Sequence, residues 1–168
     1  MMKVLVATQK PFAAVAVEGI RKIVEEAGYE FALLEKYAGQ ADLVAAVADA
    51  DALIVRSDKV TAGVVGAAAR LKIVVRAGAG FDNLDLPACT SHGVVAMNTP
   101  GQNSNAVAEL VFGLLVFAVR NFFNGKAGTE LMGKTFGVVG AGAIGQRVAR
   151  IALAFGCRVL AYNRTVYP

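Results

Sequence analysis

The stretch from Lys134 to Arg164 constrains the fold more than any other part of the chain. Thr135 to Val139 is a short β-rich run. Gly140, Gly142 and Gly145 follow in a G-x-G-x-x-G spacing that opens at once into an amphipathic helix pattern. Each glycine answers a separate demand: the first permits a tight turn, the second lets backbone approach a pyrophosphate, and the third lets the helix pack closely on the strand. Unpaired N–H groups at the helix start, those of Ala143 and Ile144 among them, then face the phosphates. The helix carries Ile144, Val148, Ile151 and Phe155 on one face, and Gly156 is its natural stop. A second strand, Arg158 to Tyr162, ends where a dinucleotide site reads the ribose, and Asn163, Arg164 and Thr165 stand there. Glycine-rich turns also close ordinary βα loops. The strand–glycine–helix–strand order favours the nucleotide reading.

A length of 168 residues suits one ordinary domain, or a small domain and a piece of another. Hydrophobic residues make up 56% of the chain, a share that parallel strands buried on both faces explain. The longest uncharged apolar run, Leu110 to Val119, is too short to cross a bilayer, and no signal-peptide pattern opens the chain. A cytoplasmic protein with no membrane partner is expected. Cys89 and Cys157 are isolated and lack metal-ligand spacing, so they read as reduced, packed thiols. The formal charge is +4, yet Lys and Arg are scattered without a basic run or an aromatic platform. A small anionic ligand fits that pattern better than nucleic acid.

Upstream, apolar runs alternate with helical patterns. Strands are expected at Lys3 to Thr8, Tyr29 to Leu34, Ala52 to Val55, Leu71 to Val75 and Val94 to Met97. Between them lie a helix ending at Gly28, a short helix capped by Asp42, a third capped by Thr61, and a fourth started by Asp85 with Pro87. Five βα units in this span make a flavodoxin-like, doubly wound parallel sheet of the α/β class, with all strand C-termini on one edge. Arg56 and Ser57 follow the third strand, and Arg76, Ala77, Gly78 and Ala79 follow the fourth. Asn98 to Ser104 is turn-rich and reads as a linker, with Ser104 capping a helix to about Asn121. That helix is apolar nearly all round and is expected to be buried between domains or in a subunit interface, so a homo-oligomer is expected. The expected organisation is residues 1–98 as a first domain, 99–133 as hinge and interface helix, and 134–168 as the first βαβ unit of a Rossmann domain.

Three stretches, Val74 to Asp85, Met97 to Leu110 and Leu131 to Tyr162, resemble the D-isomer-specific 2-hydroxyacid dehydrogenases, most closely their phosphoglycerate-oxidising branch. The resemblance implies hydride transfer between C2 of a 2-hydroxy acid and a nicotinamide, NAD or NADP, across a cleft between two α/β domains. It implies that the N–H groups around Ala77, Gly78 and Ala79 hold the substrate carboxylate, that Arg56 and Arg76 contact a substrate phosphate with help from Ser57, and that Asn103 and Ser104 lie near substrate and nicotinamide. Arginine suits an oxyanion because its planar fork makes paired, charge-assisted hydrogen bonds. The competing reading of the arginines is pairing with nearby acids such as Asp58. The favoured substrate is 3-phosphoglycerate, on the way to serine. Glyoxylate or hydroxypyruvate reduction is the alternative, and a non-catalytic anion or nucleotide module the third reading.

The sequence departs from the family in two places. Many members carry Asp where Asn163 stands. The neutral residue, with Arg164 and Thr165 after it, predicts that NADP is accepted. The family's catalytic Arg, Glu and His also have no counterpart here, and His92, the one histidine, reads as structural or exposed. A Rossmann domain needs about six strands and two are supplied, so an N-terminal fragment is expected. A signalling receiver is excluded by chemistry. That role needs acids after the first and third strands, where Ala7, Thr8 and Gln9 and then Arg56 and Ser57 stand.

Overall fold

A computed structural model describes residues 1–165, which form two compact units dividing between Pro100 and Gly101. In the first unit the elements alternate as β1 (Lys3–Thr8), α1 (Ala14–Glu26), β2 (Glu30–Glu35), α2 (Gln40–Val47), β3 (Ala52–Val55), α3 (Ala62–Ala67), β4 (Ile73–Arg76), α4 (Leu86–Ser91) and β5 (Val95–Asn98). Every pairing is parallel and the strand order is β2-β1-β3-β4-β5, the flavodoxin-like winding. The core lies where the sheet meets α2, α3 and α4. Leu43, Val47, Leu53, Val55, Val64, Val65 and Val74 there are almost wholly withdrawn from solvent. Each such side chain contributes about 1.5–3 kcal/mol relative to leaving it in water.

Two strands begin one residue later than their composition predicts, for a shared reason. Gly28 and Gly93 take positive φ at the ends of α1 and α4. The following N–H groups, of Tyr29 and Val94, reach back to the carbonyls of Val24 and Cys89 at 3.1 and 2.8 Å. Those bonds complete the helix ends and draw Tyr29 and Val94 out of the sheet. Leu71 is likewise held in a turn by its bond to Ala68 O, so β4 starts at Ile73. Asp42 is not the N-cap of α2. Gly39 takes that position, and the Asp42 carboxylate, one turn in, accepts from Ala38 N and Gly39 N at 2.9 and 3.1 Å. Thr61 stands at the N-cap of α3 without a side-chain cap, its hydroxyl accepting instead from Gln40. Asp85 does cap α4, accepting from Ala88 N at 3.0 Å.

The second unit contains α5 (Ser104–Val119), β6 (Thr135–Val139), α6 (Ala143–Ala154) and β7 (Arg158–Tyr162), with β6 and β7 parallel. Ser104 is the first residue of α5 rather than its cap. Its hydroxyl donates to Gly101 O at 2.7 Å, and Asn103 holds the cap position. Within its own unit α5 is covered along one face. Ser104, Ala108 and Phe112 form one buried stripe, Phe112 stacking on Phe136 and Phe155 at 5.8 and 5.1 Å, while Leu110 and Leu114 are 61% and 59% exposed. The stripe faces α6, the main neighbour of α5 in this unit.

Candidate substrate and dinucleotide sites

Because the first unit's strands are all parallel, their C-terminal ends share one edge. The pairings Ala7 with Val55, Val55 with Arg76 and Arg76 with Asn98 set these positions in a row, with Arg56 one residue beyond β3. Arg76 Nε donates to Arg56 O at 2.9 Å, so the arginine that ends β4 leans across onto the loop after β3. Among the described residues neither Arg56 nor Arg76 enters an ion pair. Ser57 is exposed beside them.

Asp58, the acid closest in sequence to Arg56, is engaged elsewhere. It is 5% exposed, and Oδ1 accepts from Gln9 N at 2.7 Å and from the Tyr37 hydroxyl at 2.6 Å. Asn83 Nδ2 donates to the Asp58 carbonyl at 2.8 Å, and a backbone bridge joins Val60 to Leu84. The loops after β1, β2 and β3 thus meet at one carboxylate, whose Oδ2 is buried without a partner, and the loop after β4 joins them through the Asp58 backbone. Burial first, then the hydrogen bond to Asp58 and its charge, push the Tyr37 phenol well above the ordinary range.

The loop after β4 has fewer N–H groups to offer than its sequence suggests. Ala77 N donates to Val55 O and Gly78 N to Arg76 O, both at 2.8 Å. Among the described residues, Ala79 N and Gly80 N are the first N–H groups of the loop left unspent. The loop is fixed from behind by Asn98 Nδ2 on Ala79 O at 2.8 Å and Thr99 N on Gly78 O at 2.9 Å. Adjacent free N–H donors on the same sheet edge as two arginines outside any ion pair are the kind of groups that bind oxyanions. Asn103 and Ser104 belong to the second unit, where Ser104 is 1% exposed and its hydroxyl is already donated. His92 ends α4, exposed, with Nδ1 2.9 Å from Ala88 O.

In the second unit the glycine loop is tied down from both sides. Gly140, at φ 100°, donates its N–H to Tyr162 O at 2.7 Å. Ala141 N donates to Asn163 Oδ1 at 3.0 Å, and Asn163 Nδ2 donates to Thr165 O at 2.6 Å. A Cβ at Gly145 would overlap the Gly140 carbonyl oxygen, so only glycine lets α6 start this close to the loop. Gly142 is the N-cap of α6 and offers no side-chain acceptor. The first helical bond runs from Gln146 N to Gly142 O, leaving the N–H groups of Ala143, Ile144 and Gly145 unspent at the positive end of the helix. Nothing lies within 4 Å of where a Gly142 side chain would stand. That open, donor-lined cradle fits the phosphates of a dinucleotide. Arg164 and Thr165 are exposed.

Two contributors were missed in the sequence. Asp58 was weighed only as an arginine partner, although its place directly after Arg56 and Ser57 in a strand-end loop was a signal. Asn163 acts as a latch on the glycine loop, which its spacing alone does not reveal. Among the described residues no helix is long and apolar enough to cross a membrane, and no cluster of His, Cys, Asp and Glu could hold a metal.

The family model for the D-isomer specific 2-hydroxyacid dehydrogenase catalytic domain matches residues 6–164. D-3-phosphoglycerate dehydrogenase of Rattus norvegicus is 41% identical over 163 residues, covering 88% of this chain and 30% of that protein. The Methanocaldococcus jannaschii enzyme of the same name is 40% identical over 158 residues, covering 84% of the chain and 29% of that protein. The crystal structure of NAD+-bound 3-phosphoglycerate dehydrogenase from Entamoeba histolytica superposes with a TM-score of 0.91 at 46% identity, covering 99% of this chain and 55% of that one. The chain therefore spans about a third or less of these curated relatives' length. Sequence, winding and glycine loop agree: the chain belongs to the D-isomer specific 2-hydroxyacid dehydrogenases, a family of oxidoreductases.

Proposed function

We propose that the chain supplies the substrate-binding unit and the phosphate-binding crossover of an NAD(P)-dependent oxidoreductase that converts 3-phosphoglycerate to 3-phosphohydroxypyruvate, the reaction that leads toward serine. The observation that carries this reading is the pair of arginines at the sheet edge, without a carboxylate partner among the described residues, beside the free N–H groups of Ala79 and Gly80. A molecule with a carboxylate at one end and a phosphate at the other matches two such anion sites. Ala79 N and Gly80 N orient the carboxylate, and Arg56 and Arg76, with Ser57, take the phosphate.

The residues that would hold the dinucleotide are Gly140, Gly142, Ala143, Ile144 and Gly145 at the pyrophosphate and Asn163, Arg164 and Thr165 at the ribose. When bound, its nicotinamide supplies the hydride acceptor for C2 of the hydroxy acid. The chain's own part is to fix the phosphates on backbone donors and to present a cation and a hydroxyl, with no carboxylate at Asn163, to the ribose. That chemistry suits a 2'-phosphate. The apolar side chains left exposed on α5 support self-association, and light scattering that reads a monomer at high concentration would overturn that part.

Calorimetric titration of the full chain tests the rest. Arg56→Ala and Arg76→Ala should each weaken 3-phosphoglycerate binding by about tenfold or more, since a hydrogen bond to a charged group contributes about 1.5–3 kcal/mol. Unchanged affinity in both removes the phosphate role. NADP should bind at least comparably to NAD, and NAD binding tenfold tighter would refute the assignment of Arg164 and Thr165.

A further inference from the structure

We infer that Gly78 is a positioning residue for the phosphate-binding arginine, through the space its missing side chain leaves. The inference rests on the reading of Arg76 as a phosphate ligand. An ideal Cβ at Gly78 would overlap Arg76 Nη1, stand 2.6 Å from Cζ and 3.2 Å from Nε. The guanidinium therefore occupies, Nη1 foremost, the space a Gly78 side chain would take. Its Nε is pinned there by the 2.9 Å bond to Arg56 O. That pin consumes one donor of the fork and leaves Nη1 and Nη2 without an acceptor among the described residues.

Gly78 is not required by the backbone. It is absent from the glycines at positive φ, so alanine could adopt its conformation without strain. Nor is it required for donor chemistry, because its N–H is spent on Arg76 O and its carbonyl on Thr99 N. What glycine provides here is a vacant volume occupied by the far end of a flexible side chain. An alanine would be accommodated by moving the guanidinium, with the fold intact. Arg76 would then leave Arg56 O, and its guanidinium would lose its fixed orientation at the sheet edge. A site that grips a phosphate with a planar fork depends on that fixed orientation more than on charge alone.

A double-mutant cycle on the full chain, read by titration with 3-phosphoglycerate and with D-glycerate, carries the test. Gly78→Ala should weaken 3-phosphoglycerate by about tenfold, comparable to Arg76→Ala, and reduce the preference for it over D-glycerate. In the Arg76→Ala background the same substitution should cost less than about twofold more. A Gly78→Ala penalty that persists in full without Arg76 overturns the inference, because it would act through the loop backbone. A ligand-free readout separates this from the function itself. In NMR spectra the Arg76 Nε–H should exchange slowly in the parent chain and rapidly in Gly78→Ala. Equal exchange in both overturns the inference whatever binds. Slow exchange lost in Gly78→Ala, together with no effect of Arg76→Ala on 3-phosphoglycerate, keeps Gly78 as the parking site and removes only the phosphate reading.

Discussion

At the scale of single residues, the loops at the sheet edge are held by groups buried behind it. Asp58 is the clearest. Replacing it with alanine leaves Gln9 N and the Tyr37 hydroxyl without an acceptor at a partly buried loop junction, a loss of about 1 kcal/mol or more. Asp58→Asn keeps an oxygen in the same place and should recover most of that in urea unfolding. Equal losses in the two variants would refute the acceptor role. The same contact delays ionisation of Tyr37, whose folded-state value lies above the free phenol's. Stability from this contact is complete below the free phenol's range and declines as pH rises through and beyond it. Absorbance titration should show a tyrosine ionising late, a step that Tyr37→Phe removes. None of this could be read along the chain, because Asp58 meets partners 49 and 21 residues away. The arginines, by contrast, were legible: each ends a predicted strand, and parallel order alone brings strand ends together.

At the scale of elements, what the sequence conveyed best was punctuation. Gly28, Gly93 and Gly156 all end helices at positive φ, and the glycine loop lies between β6 and α6 as its spacing demands. What it conveyed poorly was which partner a flexible polar side chain chooses. Asp42, Thr61 and Ser104 all sit within a turn of a helix start, and each bonds to something other than the expected cap. Of the three glycines in the loop, the structure gives the strictest requirement to Gly145. Gly145→Ala drives a methyl into the Gly140 carbonyl, backbone against backbone, where no rotamer relieves it. The expected cost is about 2 kcal/mol or more, with loss of dinucleotide binding. Gly142→Ala meets open space and should leave thermal stability nearly unchanged, so melting curves of the pair discriminate the two roles. Similar curves would remove the distinction.

For the whole molecule, the edge of the sheet opposite the site is closed by charge. Asp51 is 6% exposed at its side chain, accepts from Lys3 N at 2.8 Å and pairs with Arg70. The Arg70 hydrogen bond, then that from Lys3 N, hold its carboxyl below the usual carboxylate range. A depressed value in the folded state means stability that is present above the ordinary range and lost as pH falls through it. The urea midpoint should therefore decline below about pH 4. In Asp51→Asn the decline should be shallower from a lower starting point. An identical acid slope in the variant would exclude Asp51 as its source.

The strand order has one more consequence. In a flavodoxin-like sheet the chain reverses direction of winding between β1 and β3, and the crevice that opens there is where such folds ordinarily seat a flat cofactor. Here Gln9, just after β1, and Asp58, after β3, are bonded to each other across that mouth, with Tyr37 laid over the same carboxylate. The crevice is stoppered by the protein itself. Arg56, Arg76 and the free Ala79 N–H lie one strand along, at the seam between β3 and β4, so the anion site proposed for this edge sits beside the crevice and not in it.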